Sequence, residues 1–225
     1  MKAEVRTIGE LTEARVEQRG PNGRGEFTYV DISSIDRETK RIIEPKVLPN
    51  AKAPSRAKQV LKSGDVLVSM TRPNLNAVAV VPPDLDGSIG STGFHVLRAK
   101  DAEPGFLFYA VQTPEFIDAM CLKVQGALYP AVRPRDISSF CLPPFSLAAQ
   151  RRIVAEIEKQ FTRLEAGVAA LRRVQANLKR YRAAVLKAAC GGKLVPTEHE
   201  LSKAERISRK DETKRAKPAD STSSF

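Results

Sequence analysis

Between residues 146 and 190, apolar side chains fall on a repeat of seven. Ile157, Leu164, Leu171, Leu178 and Val185 form one row. Phe161, Val168, Val174, Tyr181 and Ala188 form a second, whose spacing changes from four to three at Leu171. Both rows border one stripe, so the segment is expected to be a helix with a coiled-coil seam lasting about four heptads. From Ser146 to Cys190 there is no proline, and the only glycine is Gly167; Pro143-Pro144 precedes the run and Gly191-Gly192 follows it. That is the asymmetry of a helix start and stop. Ser146 is placed to cap the first turn, although Ala149 stands where a glutamate would complete a capping box. Such a helix runs for ~65 Å, longer than an ordinary domain needs. The plainer alternative is a helix packed lengthwise on its own domain. The chain has no second heptad segment to cover the seam, so Ile157, Phe161, Leu164, Val168, Leu171, Val174, Leu178, Tyr181 and Val185 are expected to form an interface with a helix of another chain.

Upstream, the pattern is that of short mixed elements. Phe27–Ile32 alternates as a strand does, and Val66–Met70, Ala77–Val81 and Gly93–Leu97 are further strand candidates. Apolar positions between Pro104 and Leu122 predict two short helices broken near Pro114, and Ile137–Leu142 is expected to be a closing strand. Strands and helices do not alternate as parallel crossovers require, which argues against a doubly wound sheet. The expected fold class is α+β, with a mixed α/β domain over residues 1–147 followed by a single long helix within 148–197. The tail, residues 198–225, is polar and lacks aromatics before Phe225, so it is expected to be disordered.

Composition sharpens this picture mainly through charge. The 225 residues are 42% hydrophobic and 28% charged, with 37 Lys+Arg against 26 Asp+Glu and a net charge of +11. Residues 1–147 carry 19 basic and 17 acidic side chains, a net of +2; residues 148–197 carry 11 and 3, a net of +8; the tail carries 7 and 6. Between Arg172 and Lys193 there are seven basic residues and no acidic one. The surplus thus belongs to the long helix, and a polyanionic or acidic partner is expected there. Three cysteines make no disulfide framework, and no apolar run suits a bilayer. The expectation is a cytoplasmic protein without membrane association.

No arrangement of residues suggests chemistry. Cys121, Cys141 and Cys190 are far apart, and His95 and His199 lack the spacing of zinc ligands; His95, between Phe94 and Val96, is expected to face outward on a strand. Gly87-Ser-Ile-Gly90-Ser-Thr-Gly93 does not follow a phosphate-cradle pattern, and Asp84 and Asp86 suit a turn. No catalytic residue, metal or cofactor is expected. Nucleic-acid features are more persuasive. Arg37 to Lys62 holds eight basic residues against Glu38 and Glu44. Arg72, Asn74 and Asn76 lie in one loop, and Gln125, Tyr129, Arg133 and Arg135 in another that follows Lys123. Arg, Asn and Gln pair bidentately with guanine and adenine edges, whereas Arg56, Lys58, Lys62 and Lys123 suit phosphates, which position a protein without carrying sequence information.

The run Leu142-Pro143-Pro144-Phe145-Ser-Leu-Ala-Ala149-Gln150-Arg151-Arg152-Ile153-Val154 resembles the junction of type I restriction–modification specificity subunits. There, Leu-Pro-Pro precedes a Glu-Gln-(Arg/Lys)-x-Ile-Val helix start, and Ala149 departs from the usual Glu. Leu178-Lys-Arg-Tyr181-Arg together with Val185-Leu-Lys-Ala-Ala189-Cys-Gly-Gly-Lys193-Leu194 is similar to the far end of that helix. Tyr29-Val-Asp-Ile32, Gly64-Asp65-Val-Leu and Ser91-Thr-Gly-Phe94 resemble landmarks of the family's target recognition domain, with Thr7-Ile-Gly-Glu-Leu11 where such domains begin. The resemblance implies a non-catalytic module that reads double-stranded DNA. Such subunits have two recognition domains and two antiparallel helices that set half-site spacing; methylation subunits dock around them, and restriction subunits join for cleavage. One recognition domain and one helix, found here, imply half a specificity subunit. Its seam is expected to pair with a copy of itself, so that the homodimer reads a palindromic bipartite target. The alternatives are a coiled-coil adaptor or nucleic-acid scaffold that reads no bases, pairing with a different half-subunit, and an inactive remnant of a longer subunit.

Overall fold

The computed structural model describes residues 5–125 and 130–215. The chain divides into two compact units, Met1–Gln160 and Phe161–Phe225. The first opens with β1 (Arg6–Thr7) and α1 (Ile8–Leu11), whose Thr7–Glu10 capping box closes the first turn. There follow β2 (Glu26–Val30), β3 (Ile35–Asp36), β4 (Arg41–Ile42), β5 (Lys46–Pro49), β6 (Ala57–Val60), β7 (Val66–Ser69), β8 (Val78–Val80), β9 (Ile89–Ser91) and β10 (Phe94–Leu97). Three short helices, α2 (Pro104–Ala110), α3 (Pro114–Leu122) and α4 (Pro134–Ser138), each begin on a proline, whose fixed φ suits a first helical position. The segment read as a closing strand from Ile137 is therefore α4 followed by a two-residue strand, β11 (Cys141–Leu142), paired with β1. Asp136 caps α4 by accepting the Arg133 N–H at 2.9 Å, a local signal that outweighs the apolar alternation.

The strands form two main sheets, β10-β7-β8 and β5-β2-β9-β6. All of these pairings are antiparallel except β2 with β9, consistent with the absence of a doubly wound pattern. The three-stranded sheet is the middle of three layers. Val66, Val68 and Val78 face a helical layer with Ile8, Phe106, Leu107, Phe116, Met120 and Ile137. Leu67, Ala79, Phe94 and Val96 face the second sheet through Val30 and Leu61. Burial on both faces explains why the Val66–Val68 run is continuously apolar rather than alternating.

The long helix α5 spans Leu147–Cys190. The Ala149 N–H reaches the Ser146 hydroxyl at 3.3 Å, so the half capping box forms. At its end the Lys193 N–H bonds the Ala188 carbonyl (2.9 Å) and the Gly192 N–H bonds the Ala189 carbonyl (3.0 Å), with Gly192 at φ +69°. That is the Schellman termination, which requires the left-handed residue glycine supplies. The division between units falls within α5 rather than before it, because its first turns pack on the globule: Gln150 and Val154 are buried. Residues 198–215, expected to belong to a disordered tail, form α6 (Glu198–Arg215), and residues 216–225 of that tail lie outside the described residues. Thr197 and Glu200 make a reciprocal capping box, and the Glu-, Lys- and Arg-rich sequence has high helix propensity without needing a core. No helix among the described residues is long and apolar enough to cross a membrane.

Candidate nucleic-acid interface

One edge of the first unit collects loops that are remote in sequence. β2, β7 and β9 end there, and β6, β8 and β10 begin there. A chain of backbone hydrogen bonds crosses it: Thr92 N–H to Arg56 carbonyl (2.9 Å), Met70 N–H to Gly93 carbonyl (3.0 Å), Val132 N–H to Met70 carbonyl (2.9 Å) and Arg72 N–H to Pro130 carbonyl (2.8 Å). Arg56, Arg72, Asn74, Gln125, Arg133 and Arg135 are therefore brought to a common edge, with Arg72, Asn74, Arg133 and Arg135 exposed. The Arg133 guanidinium donates to Gln125 Oε1, fixing the two side chains together.

The glycine-rich segment that lacked a phosphate-cradle pattern is structural. A Cβ on Gly90 would lie 2.8 Å from Leu61 Cδ2, and one on Gly93 would lie 2.8 Å from Ile32 Cδ1. A larger residue at either position would have to displace the Leu61 or Ile32 side chain from its packing.

Several expected site residues stand elsewhere. Lys62 is at the opposite end of β6, where its N–H donates to Asp65 (2.8 Å) and the neighbouring Leu61 N–H bonds Ser88. Lys58 is exposed midway along β6. Lys123 is tied to the end of α4, its ammonium 3.2 Å from the Ser139 hydroxyl. Asn76 is engaged within the fold: its Nδ2 donates to the Val111 carbonyl (2.8 Å), and its Oδ1 accepts from Lys40 (3.1 Å). Both halves of its amide are spent, so it offers no bidentate face to a base. Tyr129 lies outside the described residues.

The charge pattern left one feature of this edge unassigned. A cleft of about 550 Å3 is lined by Lys46, Lys52 and Arg56 around Tyr29, with Asp31 as its acidic member. Lys46 pairs across the strands with Tyr29, and burial pushes the Tyr29 hydroxyl above the usual phenol range. Lys46 and Lys52 belong to the basic stretch, and the fold brings them to one cleft with Arg56.

His95 also differs from expectation. Phe94 and Val96 face the second sheet, which turns His95 toward the helical layer, where its Nε2 lies 3.0 Å from the Ser138 hydroxyl. Burial pushes its pKa down to about 4. Gly64-Asp65 turns out to be a core support: Asp65, 2% exposed, takes both Arg98 Nε (2.9 Å) and NH2 (2.7 Å).

The start of α5 is fixed to the globule by side-chain contacts. Buried Gln150 accepts the Glu103 N–H through Oε1 (2.9 Å) and donates Nε2 to the Phe145 carbonyl (3.1 Å), clipping α5 to the start of α2. Arg151 pairs with Glu103 at 3.2 Å. Beyond this clip the seam is open to solvent: Leu171 is 70% exposed and Leu178 61%, and Phe161, Leu164, Val168, Val174 and Tyr181 are exposed as well. Ile157 and Val185 are half-buried. Ile157 lines an apolar cleft of about 370 Å3 with Phe106, Tyr109, Phe140 and Ile153.

No protein-family model and no curated protein sequence matches the chain. Solved structures do. The HsdS subunit from Thermoanaerobacter tengcongensis is 39% identical over 83% of this chain and 48% of its own, with a TM-score of 0.71. A structure from work on complex assembly and conformational transition of the type I restriction–modification system is 37% identical over 87% of this chain and 50% of its own, with a TM-score of 0.68. The chain thus spans about half the length of the structures it matches.

Proposed function

The chain belongs to the family of type I restriction–modification specificity subunits, and on that footing we propose that it reads one half-site of a bipartite DNA target. The observation that carries this reading is the meeting of Arg72 and Asn74 with Gln125, Arg133 and Arg135 at one edge, although their loops are some fifty residues apart. Arg72, Asn74, Arg133 and Arg135 present the donors and acceptors that base edges match. Lys46, Lys52 and Arg56 flank them and hold the phosphate backbone. The chain itself carries out no reaction in this reading and needs no cofactor; it works in the cytoplasm with methylation subunits that act on the DNA it selects, and restriction subunits join for cleavage.

The exposed seam supplies the second half-site. Two copies pair their α5 helices antiparallel about a two-fold axis, burying Leu164, Leu171 and Leu178, and the assembly reads an inverted repeat with a gap. The basic run from Arg172 to Lys193 stays on the outer helix faces, toward acidic surfaces of the methylation subunits or the DNA between half-sites.

Two classes of variant test the DNA reading. Arg72→Ala and Asn74→Ala should each cost about 1–3 kcal/mol at defined base positions and leave other positions unchanged. Lys46→Ala and Lys52→Ala should weaken binding to all sequences alike and reduce the salt slope by about one each. If all four variants lose affinity evenly across sequences, the edge reads no bases and the scaffold alternative gains.

A further inference from the structure

Among the described residues, three non-glycine positions adopt left-handed backbone: Lys40 (φ 56°), Arg72 (φ 49°) and Asn76 (φ 42°). Lys40 is remote in sequence from the other two, yet all three meet in one cluster. Arg72 and Asn76 bracket the single 3-10 turn Pro73–Leu75, which exposes Asn74. The Leu75 N–H bonds the Arg72 carbonyl (2.9 Å) and the Asn76 N–H bonds the Pro73 carbonyl (2.9 Å). Lys40 ends the tip of the β3–β4 hairpin, and its ammonium donates to the Asn76 carbonyl at 2.6 Å and to Asn76 Oδ1 at 3.1 Å. On its other side Asn76 Nδ2 reaches the Val111 carbonyl, just past α2.

The Lys40 ammonium is half-buried and has no carboxylate within ion-pair distance among the described residues. A lysine held by carbonyl oxygens forms a fixed peg, not a solvated surface charge. Strained backbone of this kind persists only where surrounding contacts hold it, and it gathers where a fold must aim particular side chains. Here the side chains aimed are those of Arg72 and Asn74.

We propose that Lys40 and Asn76 are positioning residues that lock the loop 71–76 and thereby set which base edges Arg72 and Asn74 meet. The base-reading part rests on the functional reading above; the locking part rests on geometry alone. Neither residue touches DNA. A long-range clamp joins the β3–β4 hairpin and the end of α2 to the reading loop, so that base discrimination depends on residues outside the loop.

The full chain tests this with two variants. Lys40→Met keeps the aliphatic stem and removes the peg. Asn76→Gly keeps the left-handed backbone and removes both side-chain bonds, and because glycine also loosens the loop, Lys40→Met, which leaves residue 76 unchanged, is the variant that isolates the clamp. The first measurement is amide hydrogen exchange. Exchange at the Leu75 and Asn76 amides should rise at least tenfold in both variants and stay unchanged in the β7 and β10 strands. The second is selection from a randomised duplex library. Both variants should relax discrimination at the positions that Arg72→Ala relaxes, with total affinity within about threefold. Unchanged exchange at Leu75 and Asn76 overturns the clamp. Faster exchange with full discrimination retained, where the parent chain discriminates, overturns its role in specificity. If the parent chain recovers no motif, the functional reading fails, and the specificity role with it.

Discussion

Asp65 shows what a two-residue sequence signal can hide. Its carboxylate is buried, takes two bonds from Arg98 and also accepts the Lys62 N–H, while Arg98 donates onward to the Val60 carbonyl. Removing one member of a buried pair strands the other, so Asp65→Ala should cost about 3–5 kcal/mol, read as a lower urea midpoint, and Arg98→Met, which strands the more deeply buried carboxylate, should cost at least as much. His95 carries a pH-dependent contribution of opposite chemistry. Its folded pKa of about 4 lies below the unfolded value near 6.5, so the unfolded chain takes up the proton first. Stability is therefore full above pH 6.5 and falls as pH drops toward 4, by no more than about 3 kcal/mol. A His95→Asn variant should lose that difference: subtracting its denaturation midpoints from the parent's should give a curve that declines only between those pH values. A flat difference would show that His95 is solvated. Sequence alone offered alternation around His95 but not what covers its face, because Ser138 comes from α4, forty-three residues away.

At the scale of elements, the long helix was readable because its signals are local: prolines before it, glycines after it, and heptads between. Short strands such as β5, β6 and β9 left too few residues for a period to register, and only pairing across the sheet defines them. α6 escaped for a different reason, since it has helix propensity without an apolar face large enough to suggest a core. The junction of α2 with α5 depends on one missing side chain. A Cβ on Gly105 would stand 2.9 Å from Val154 Cγ1. Gly105→Ala should destabilise by about 1–3 kcal/mol, and adding Val154→Ala should recover part of that, so that the double variant is less affected than the sum. The seam makes a sharper demand. Leu171→Glu with Leu178→Glu should convert a dimer to a monomer at micromolar concentration by light scattering, without lowering the stability of the first unit. A parent chain that is already monomeric would leave the seam to a different partner helix.

For the whole molecule, the net charge of +11 suggests a basic protein binding DNA through its basic surface, and its distribution says otherwise. Residues 1–147, which contain the candidate reading edge, are close to neutral. On the proposed reading, discrimination there comes from a few placed side chains and not from bulk charge. Which residues those are was only partly legible. The residue types in the 72–76 and 125–135 loops were visible, but their meeting at one edge comes from the β7–β8 and β7–β10 registers, which no local pattern encodes. Asn76 and Lys62 looked equivalent to their neighbours in sequence; one is spent on an internal clamp and the other stands at the far end of β6. On the proposed reading, two copies of this chain, joined through α5, read two half-sites. Selection of bound duplexes from a randomised pool by the full chain assembled with a methylation subunit, read by sequencing, tests it directly. The expected product is a gapped motif made of two identical half-sites in inverted orientation; recovery of no motif, or of a single ungapped half-site, would rule the paired reading out.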